Sequence, residues 1–167
     1  MSSDRIMAEE PIEKKITRIL IHRKMTVTAA ESCTGGLVAG TLVNADGISE
    51  VFKESYVTYS NEAKHKLLGV KKETLEKYGA VSRQTAAEMA EGAVRAAGAD
   101  ASVVTTGVAG PGGGTEEKPV GLVYIGCCVK GCTIVKRCFY GGDRQGVRHS
   151  EVKEALEILY CQLLADK

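Results

Sequence analysis

The sequence predicts an α/β fold, more specifically a three-layer α/β/α sandwich with a mixed sheet. Helical patterns alternate with short β-branched runs through the first two thirds of the chain, as expected for helices that cover a mostly parallel sheet. Two β runs, VGLVYIGCCV and CTIVKRCFY, then follow one another across Lys130 and Gly131. This spacing predicts an antiparallel hairpin, which makes the sheet mixed.

The first half of the chain is expected to hold helices and two strands. Residues 11–24 carry a helical apolar stripe, with Pro11 suited to the first turn. Residues 25–30 predict a strand that turns sharply at ESCTGG into a helix over LVAGTLVNA. Residues 54–59 predict a second strand, and the following NEAKHKLLGV predicts a short helix capped by Asn61.

The second half is expected to hold two longer helices, a buried strand and the hairpin. SRQTAAEMAEGAVRAAG predicts a helix that begins after the cap residue Ser82 and stops at Gly98. Residues 101–106 predict a buried strand that opens into a glycine-rich loop, and the segment from GDRQGVR onward predicts a long final helix. The helix residues expected to face the core are Ala86, Met89, Ala90, Ala93, Val94, Ala97, Val147, Val152, Ala155, Leu156, Leu159 and Leu163.

Length and charge limit the classes of function. With 167 residues, we expect one domain over residues 1–167 with its own core. A formal net charge of +1 gives no general attraction to nucleic acid or to an acidic membrane. No apolar run has the length of a signal-peptide core or a membrane span, so we expect a cytoplasmic protein without nucleic-acid or membrane partners. The six cysteines are expected to be free thiols, and their spacing lacks the paired CxxC knuckles of a zinc site.

Ser32 and Lys64 are the first candidates for chemistry. Ser32 lies in ESCTGG, at a turn where the N–H groups of the following helix would favour an anionic oxygen. A serine needs a base to attack a substrate, and Lys64 can take that role if burial lowers its pKa. The simpler interpretation is that Ser32 caps the next helix and that Lys64 is solvated. Cys33 is the rival nucleophile, because thiolates are activated at helix N-termini.

Other residues point to a bound anion. TGVAGPGGGTEEKPVG predicts a backbone cradle for a phosphate or an oxyanion, but it lacks the motifs that bind ATP or NAD. Thr106 ends the strand before this loop and can donate a hydrogen bond to a ligand. Arg144 and Arg148 lie four residues apart in the last helix, and arginine suits phosphate and carboxylate groups. Tyr59 could share a proton network with Lys64 or stack on an aromatic ring.

Five segments, AESCTGG, SEVFKESYVTYSNEAK, YGAVS, TGVAGPGGGTEEKPVG and GDR, are spread in order along the chain. Together they resemble the C-terminal domain of the CinA family. The stand-alone form of that domain is similar to nicotinamide-nucleotide amidohydrolases. The resemblance therefore implies hydrolysis of nicotinamide mononucleotide to nicotinate mononucleotide and ammonia, in pyridine-nucleotide salvage. It also implies no cofactor or metal and a homodimer or higher homo-oligomer. Longer CinA proteins carry a further domain similar to a nucleotide pyrophosphatase, and we do not expect that activity here.

The resemblance also implies roles for single residues. Ser32 is expected to attack the carboxamide and Lys64 to transfer the proton, while Tyr59 and Ser49 position or polarise these groups. Ser49 stays an alternative nucleophile. The residue patterns and the resemblance together give the expected substrate-binding residues, which are Thr34, Gly35, Thr106, Gly107, Gly110, Gly112, Gly113, Arg144 and Arg148. Two other functions remain open at this point, a non-catalytic nucleotide-binding or regulatory module and a thiol amidase that uses Cys33.

Overall fold

The computed structural model describes residues 10–166. Its helices are α1 (Ile12–Arg23), α2 (Leu37–Leu42), α3 (Asn61–Leu68), α4 (Lys72–Tyr78), α5 (Arg83–Ala97) and α6 (Arg144–Ala165). Its strands are β1 (Val27–Glu31), β2 (Tyr56–Val57), β3 (Ala101–Gly107), β4 (Leu122–Val129) and β5 (Cys132–Phe139), and a short 3₁₀ turn covers Ile48–Glu50. No helix within this range combines the length and the apolar character that crossing a bilayer demands.

The strands form one five-stranded sheet in the order β2–β1–β3–β4–β5. β1 is parallel to β2 and β3, whereas β4 is antiparallel to both β3 and β5. The register aligns Glu31 with Val57 on one side and with Thr105 on the other. The carboxyl ends of the three parallel strands therefore meet at one edge, and the predicted mixed sheet is confirmed.

Helices cover both faces of the sheet. α6 packs on β3 and β4 together with α1 and α2, while α5 packs on β1, β3 and β4 from the other side, with α3 and α4 against it. Successive side chains of a strand point to opposite faces of the sheet. In β3, Val103 accordingly belongs to the core on the α6 face, and Val104 belongs to the core on the α5 face. The three-layer α/β/α arrangement is confirmed. The helix residues expected in the core are buried, except Val94 and Ala97, which are half-buried.

Two local signals in the second half are confirmed. The Ser82 hydroxyl accepts a hydrogen bond from the Thr85 N–H at 3.1 Å and caps α5, which ends at Gly98. Lys130 and Gly131 form the hairpin turn with φ of 47° and 79°. A two-residue turn of this kind requires positive φ at both positions because its twist must match that of the strands.

The two strands of the first half have bounds that differ from the predicted ones. The strand predicted over residues 54–59 shortens to β2, because this edge segment pairs with only the last part of β1. β1 starts at Val27 and not at Met25. The Met25 N–H still bonds to the Leu20 carbonyl at the end of α1, at 2.9 Å, so this residue belongs to the helix end.

Helix starts in the first half are also corrected. Ser60, and not Asn61, caps α3, since its hydroxyl accepts the Ala63 N–H at 3.0 Å. Pro11 is the N-cap residue of α1 and does not lie inside the first turn. α4 was not predicted, because a short helix with few buried residues leaves no long apolar stripe in the sequence.

Candidate active site

Ser32 and Cys33 follow β1 directly and point to opposite faces of the sheet. Ser32 lies on the α5 face, where its Oγ is 3.2 Å from the Nζ of Lys64 on α3. Cys33 lies on the α6 face, where its Sγ is 2.9 Å from Oε2 of Glu151 on α6. Two neighbouring candidate nucleophiles in the turn after β1 therefore have different partners, an amine for Ser32 and a carboxyl group for Cys33.

Lys64 is fully buried beside Ser32, with 0% of its surface exposed. Its Nζ donates hydrogen bonds to Ser32 Oγ at 3.2 Å and to the Thr58 carbonyl at 2.8 Å. Burial disfavours the charged amine and lowers the pKa of Lys64 to about 8, although the neighbouring Cys33 acts in the opposite direction. An amine with this pKa can accept the proton of the Ser32 hydroxyl near neutral pH. The interpretation of Lys64 as a solvated residue is wrong.

Cys33 has the surroundings of an unreactive thiol. Its Sγ donates to the carboxylate of Glu151, and both side chains are buried. Burial, followed by the neighbouring Glu151, raises the pKa of Cys33 well above its usual range. Burial also raises the pKa of Glu151 to about 8, against the lowering effect of the hydrogen bond from Cys33. Thiolates rather than thiols are nucleophiles, so this environment argues against attack by Cys33.

The N-terminus of α2 is occupied by Glu31, the last residue of β1. Its carboxylate accepts the N–H groups of Val38 at 2.8 Å and Ala39 at 3.0 Å, and the hydroxyl of Thr34 at 2.6 Å. The expectation that free N–H groups of this helix favour a ligand oxygen is wrong for these two groups. The interpretation of Ser32 as the cap of this helix is wrong as well, because Glu31 binds those amides.

Arg144 connects the glycine-rich loop to Tyr59 at the mouth of the site. Its guanidinium donates to the Gly110 carbonyl at 2.8 Å and to the Tyr59 hydroxyl at 3.1 Å. Tyr59 is 60% exposed, and Gly112 and Gly113 are also exposed. These two contacts use two of the five donors of the guanidinium, so the mouth carries a positive group able to bind an anion.

Two predicted substrate-binding hydroxyls bond within the protein. Thr34 Oγ1 lies 2.7 Å from Thr105 Oγ1 and is fully buried. Thr106 Oγ1 donates to the Ala80 carbonyl at 2.8 Å, and Gly107 ends β3 in a half-buried position. Direct contact of these residues with a substrate stays a prediction.

Arg148 binds the loop that carries Ser32. Its Nε donates to the Cys33 carbonyl at 2.9 Å, and its NH2 group donates to the Thr34 carbonyl at 3.1 Å. Gly35, the next residue, is exposed and has a φ of 60°. The two arginines of the GDRQGVR segment thus bind different loops, and the predicted contact of Arg148 and Gly35 with substrate stays a prediction.

Ser49 lies at the other end of β1. It is an exposed residue of the 3₁₀ turn, and Phe52 shortly after it pairs with Val27 at the amino end of the strand. Ser32 follows the carboxyl end, roughly 13 Å along the strand at about 3.3 Å per residue. Within one chain, the structure therefore brings Ser32 to Lys64 and leaves Ser49 apart from them.

The cysteines and acidic residues form no metal centre in the described part of the chain, residues 10–166. No group of three or more His, Cys, Asp or Glu side chains in this range could hold an ion. Cys33, Cys127, Cys128 and Cys138 are buried free thiols, whereas Cys132 and Cys161 are exposed free thiols.

Three residues that contribute to this region were not identified from the sequence. Glu151 carries a recognisable signal, because it lies four residues from both Val147 and Ala155 and so interrupts the buried stripe of α6 with a carboxyl group. Glu31 carries the same kind of signal, because it is a carboxyl group at the end of the buried strand β1. The contribution of Thr58 comes from its backbone carbonyl, and no side-chain pattern reveals it.

Comparisons with known proteins all point to the same family of relatives. A family model described as the CinA C-terminal domain matches residues 9–163. A Clostridium novyi (strain NT) protein named for competence-damage induction is 57% identical over 156 residues, which are 93% of this chain and 38% of that protein. A Clostridium acetobutylicum protein with the same kind of name is 56% identical over 158 residues, which are 95% of this chain and 38% of that protein. The chain thus spans less than two fifths of the length of these relatives.

Solved structures match over nearly their whole length. The competence damage-inducible protein A of Klebsiella pneumoniae subsp. pneumoniae MGH 78578 superposes with a TM-score of 0.90 at 36% identity, covering 93% of this chain and 97% of that chain. A competence/damage inducible protein of Agrobacterium tumefaciens has a TM-score of 0.84 at 43% identity, covering 92% of this chain and 96% of that chain.

Proposed function

The chain belongs to the CinA C-terminal domain family, and on that premise we propose that it hydrolyses the carboxamide of nicotinamide mononucleotide to nicotinate mononucleotide and ammonia. Ser32 is the nucleophile and Lys64 the general base of this reaction. The role in pyridine-nucleotide salvage, the cytoplasmic location and a homo-oligomeric assembly belong to the same proposal and stay predictions.

One observation supports the proposal most strongly. A buried lysine amine, with its pKa lowered to about 8, lies 3.2 Å from a serine hydroxyl at the end of a strand. An amine buried without a function costs stability, since the protein must exclude its charged form. The hydrogen bond from Lys64 Nζ to the Thr58 carbonyl orients the amine, so its lone pair in the neutral state can face Ser32.

The proposed reaction has two steps. Ser32 Oγ attacks the carboxamide carbon while Lys64 accepts the hydroxyl proton, and Lys64 then gives this proton to the nitrogen as the C–N bond breaks. Ammonia leaves, and the pyridine carbonyl stays bound to Ser32 as an ester. Water then attacks the ester with Lys64 again as the base, which releases the acid and restores the serine. Backbone amides of the surrounding loops would stabilise the oxyanion.

The mouth of the site suits the phosphate of a mononucleotide. Arg144 is exposed, keeps unused donors beyond its two contacts, and is fixed between the Gly110 carbonyl and the Tyr59 hydroxyl. The exposed glycines Gly112 and Gly113 lie in the same loop and offer backbone amides without side-chain obstruction. The exposed ring of Tyr59 is available for contact with the substrate.

The two other candidate functions have weaker support. A thiol amidase needs a Cys33 thiolate, and the buried Cys33–Glu151 pair favours the protonated thiol. A non-catalytic nucleotide-binding module could use Arg144 and the glycine-rich loop, but it has no need for the buried Lys64 amine next to Ser32.

The test is release of ammonia and nicotinate mononucleotide from nicotinamide mononucleotide by the purified chain, with folding checked by circular dichroism. We expect turnover by the wild type and by the controls Ser55→Ala and Lys66→Met, which change an exposed serine and an exposed lysine of α3. Folded Ser32→Ala and Lys64→Met are expected to lose turnover. A wild type that binds the nucleotide in calorimetry but releases no ammonia would support the binding module instead.

A further inference from the structure

Helix α6 holds the loop after Ser32 from the face of the sheet opposite to Lys64. Arg148 donates to the Cys33 carbonyl at 2.9 Å and to the Thr34 carbonyl at 3.1 Å. Glu151 accepts the Cys33 thiol at 2.9 Å and 3.2 Å through its two carboxylate oxygens. All of these contacts are made to the two residues directly after Ser32.

This loop has no regular structure of its own. Residues 32–36 connect β1 to α2, and the positive φ of Gly35 and Gly36, 60° and 106°, gives the chain room to pivot before the helix. On the strand side, the Ser32 N–H bonds to the Thr105 carbonyl at 3.0 Å. The Ser32 carbonyl also accepts the Gly35 N–H at 3.0 Å, and the bonds from α6 to Cys33 and Thr34 hold the two residues between these points.

Helix α6 is a rigid support for this purpose. It spans 22 residues, and Val147, Ala155 and Leu159 on its inner face are fully buried. One turn before Arg148, the same helix holds the glycine-rich loop and Tyr59 through Arg144. One element thus fixes both sides of the site.

The burial of Glu151 supports a functional interpretation of these contacts. The residue is 0% exposed within an otherwise apolar stripe, and burial raises its pKa to about 8. An apolar side chain would fill this position at lower cost, whereas a carboxyl group fixes the direction of the Cys33 thiol. Arg148 and Glu151 lie three residues apart, so one face of α6 presents both groups to the loop.

We propose that Arg148 and Glu151 are positioning residues for the reaction, which hold the Cys33–Thr34 segment so that Ser32 Oγ stays aligned with Lys64 Nζ. This inference rests on the proposed amidase function. It assigns the guanidinium of Arg148 to the protein loop rather than to the substrate, and it gives the buried Cys33–Glu151 contact a structural purpose.

The experiment compares Arg148→Met and Glu151→Leu with the conservative variants Arg148→Lys and Glu151→Gln. Arg95→Met and Glu157→Gln, which change exposed residues of α5 and α6, are the matched controls. Two quantities are measured for each folded variant, kcat and KM with nicotinamide mononucleotide, and the rate at which iodoacetamide alkylates Cys33, followed by peptide mass spectrometry. Cys132 and Cys161 are exposed and serve as internal references for the reagent.

We expect Arg148→Met and Glu151→Leu to lower kcat by about 10- to 100-fold while KM changes less than about 3-fold, because small misplacements of a reacting group cost rates of this size. Alkylation of Cys33 is expected to rise about 10-fold or more. Arg148→Lys and Glu151→Gln, which keep a donor and an acceptor, should recover part of kcat, and the controls should match the wild type.

Three results would overturn the inference. The first is kcat within about 2-fold of the wild type in folded Arg148→Met and Glu151→Leu, a smaller change than a misaligned nucleophile gives. The second is a large rise in KM with kcat unchanged, which would place Arg148 on the substrate. The third is unchanged alkylation of Cys33. If the wild type releases no ammonia, the proposed function fails, and the alkylation rates still decide whether the two residues hold the loop. If a truncating variant does not fold, the conservative variant at that position decides on the same readouts.

Discussion

The two sides of the loop after β1 differ in their chemistry although both are buried. On the α5 face, Ser32 lies against the amine of Lys64, and on the α6 face, Cys33 lies against the carboxyl group of Glu151. Burial lowers the pKa of Lys64 to about 8 and raises the pKa of Cys33 well above its usual range. In both cases burial favours the neutral form.

The same physical cause therefore has opposite chemical consequences on the two faces. A neutral amine is a base that can accept the proton of Ser32, whereas a neutral thiol is a poor nucleophile. Taken without its neighbours, Cys33 would be the more nucleophilic of the two residues. Its partner, rather than its intrinsic reactivity, excludes it from the proposed chemistry.

The largest difference in kcat is expected between the alanine variants of the neighbouring residues Ser32 and Cys33. We expect Ser32→Ala to lower kcat by about 1,000-fold or more, because it removes the nucleophile of the proposed reaction. Cys33→Ala should lower kcat no more than Glu151→Leu does, by about 10- to 100-fold, because it removes the same contact with Glu151 while Arg148 still binds the backbone carbonyls. Steady-state ammonia release measures both variants. The comparison breaks down if Cys33→Ala is inactive and Ser32→Ala keeps its turnover.

A second prediction concerns the free energy of unfolding that is lost by burying the Lys64 amine on the α5 face. Lys64→Met should raise the free energy of unfolding at pH 7 by up to about 3 kcal/mol, because burial moves the pKa of Lys64 from 10.5 to about 8. The folded state pays the full penalty of the charged amine below pH 8. This penalty disappears as the pH rises from about 8 to 10.5, so the two proteins should converge in urea denaturation over that window.

The control for this prediction is Lys66→Met, which changes an exposed lysine of the same helix and should leave the pH dependence of stability unchanged. A Lys64→Met protein whose stability relative to the wild type does not vary between pH 7 and 10 would show that the amine titrates normally and is no neutral base.

A smaller effect is the pH dependence of activity. Because the neutral form of Lys64 is the base, kcat/KM should rise about 10-fold per pH unit below about pH 8 and level off above it. Glu151 has a pKa in the same range, about 8, so Glu151→Gln separates the two groups. The midpoint should stay in place in this variant. If the midpoint disappears in Glu151→Gln, the group that titrates is Glu151 and not Lys64.

Elements with a strong local signal could be predicted from the sequence. The cap at Ser82 and the Lys130–Gly131 turn come from neighbouring residues alone, and both are confirmed. β2 was predicted too long, because the length of an edge strand depends on its pairing with β1. α4 was missed because packing against α5, rather than its own pattern, holds it in place.

The candidate site, like the fold, could be predicted from the sequence only in part. The need of a serine nucleophile for a base, together with the family resemblance, predicted Ser32 and Lys64 as a pair, and the structure places them within hydrogen-bonding distance. Sequence could not show that Glu31 fills the N-terminus of α2 or that Arg148 binds the Ser32 loop. The first contact depends on the geometry of the turn between β1 and α2, and the second joins residues that only the three-dimensional fold brings together. Glu31 and Glu151, carboxyl groups within buried segments, were the residues of this kind with a visible signal.

The most direct test of the central claim is to identify the residue that carries the covalent intermediate. The wild type is mixed with nicotinamide mononucleotide, quenched in acid within milliseconds to seconds, and mapped by peptide mass spectrometry. We predict an ester of the nicotinate mononucleotide on Ser32, absent from Ser32→Ala and from Lys64→Met. An adduct on Cys33 or on Ser49 would contradict the assignment of Ser32 as the nucleophile.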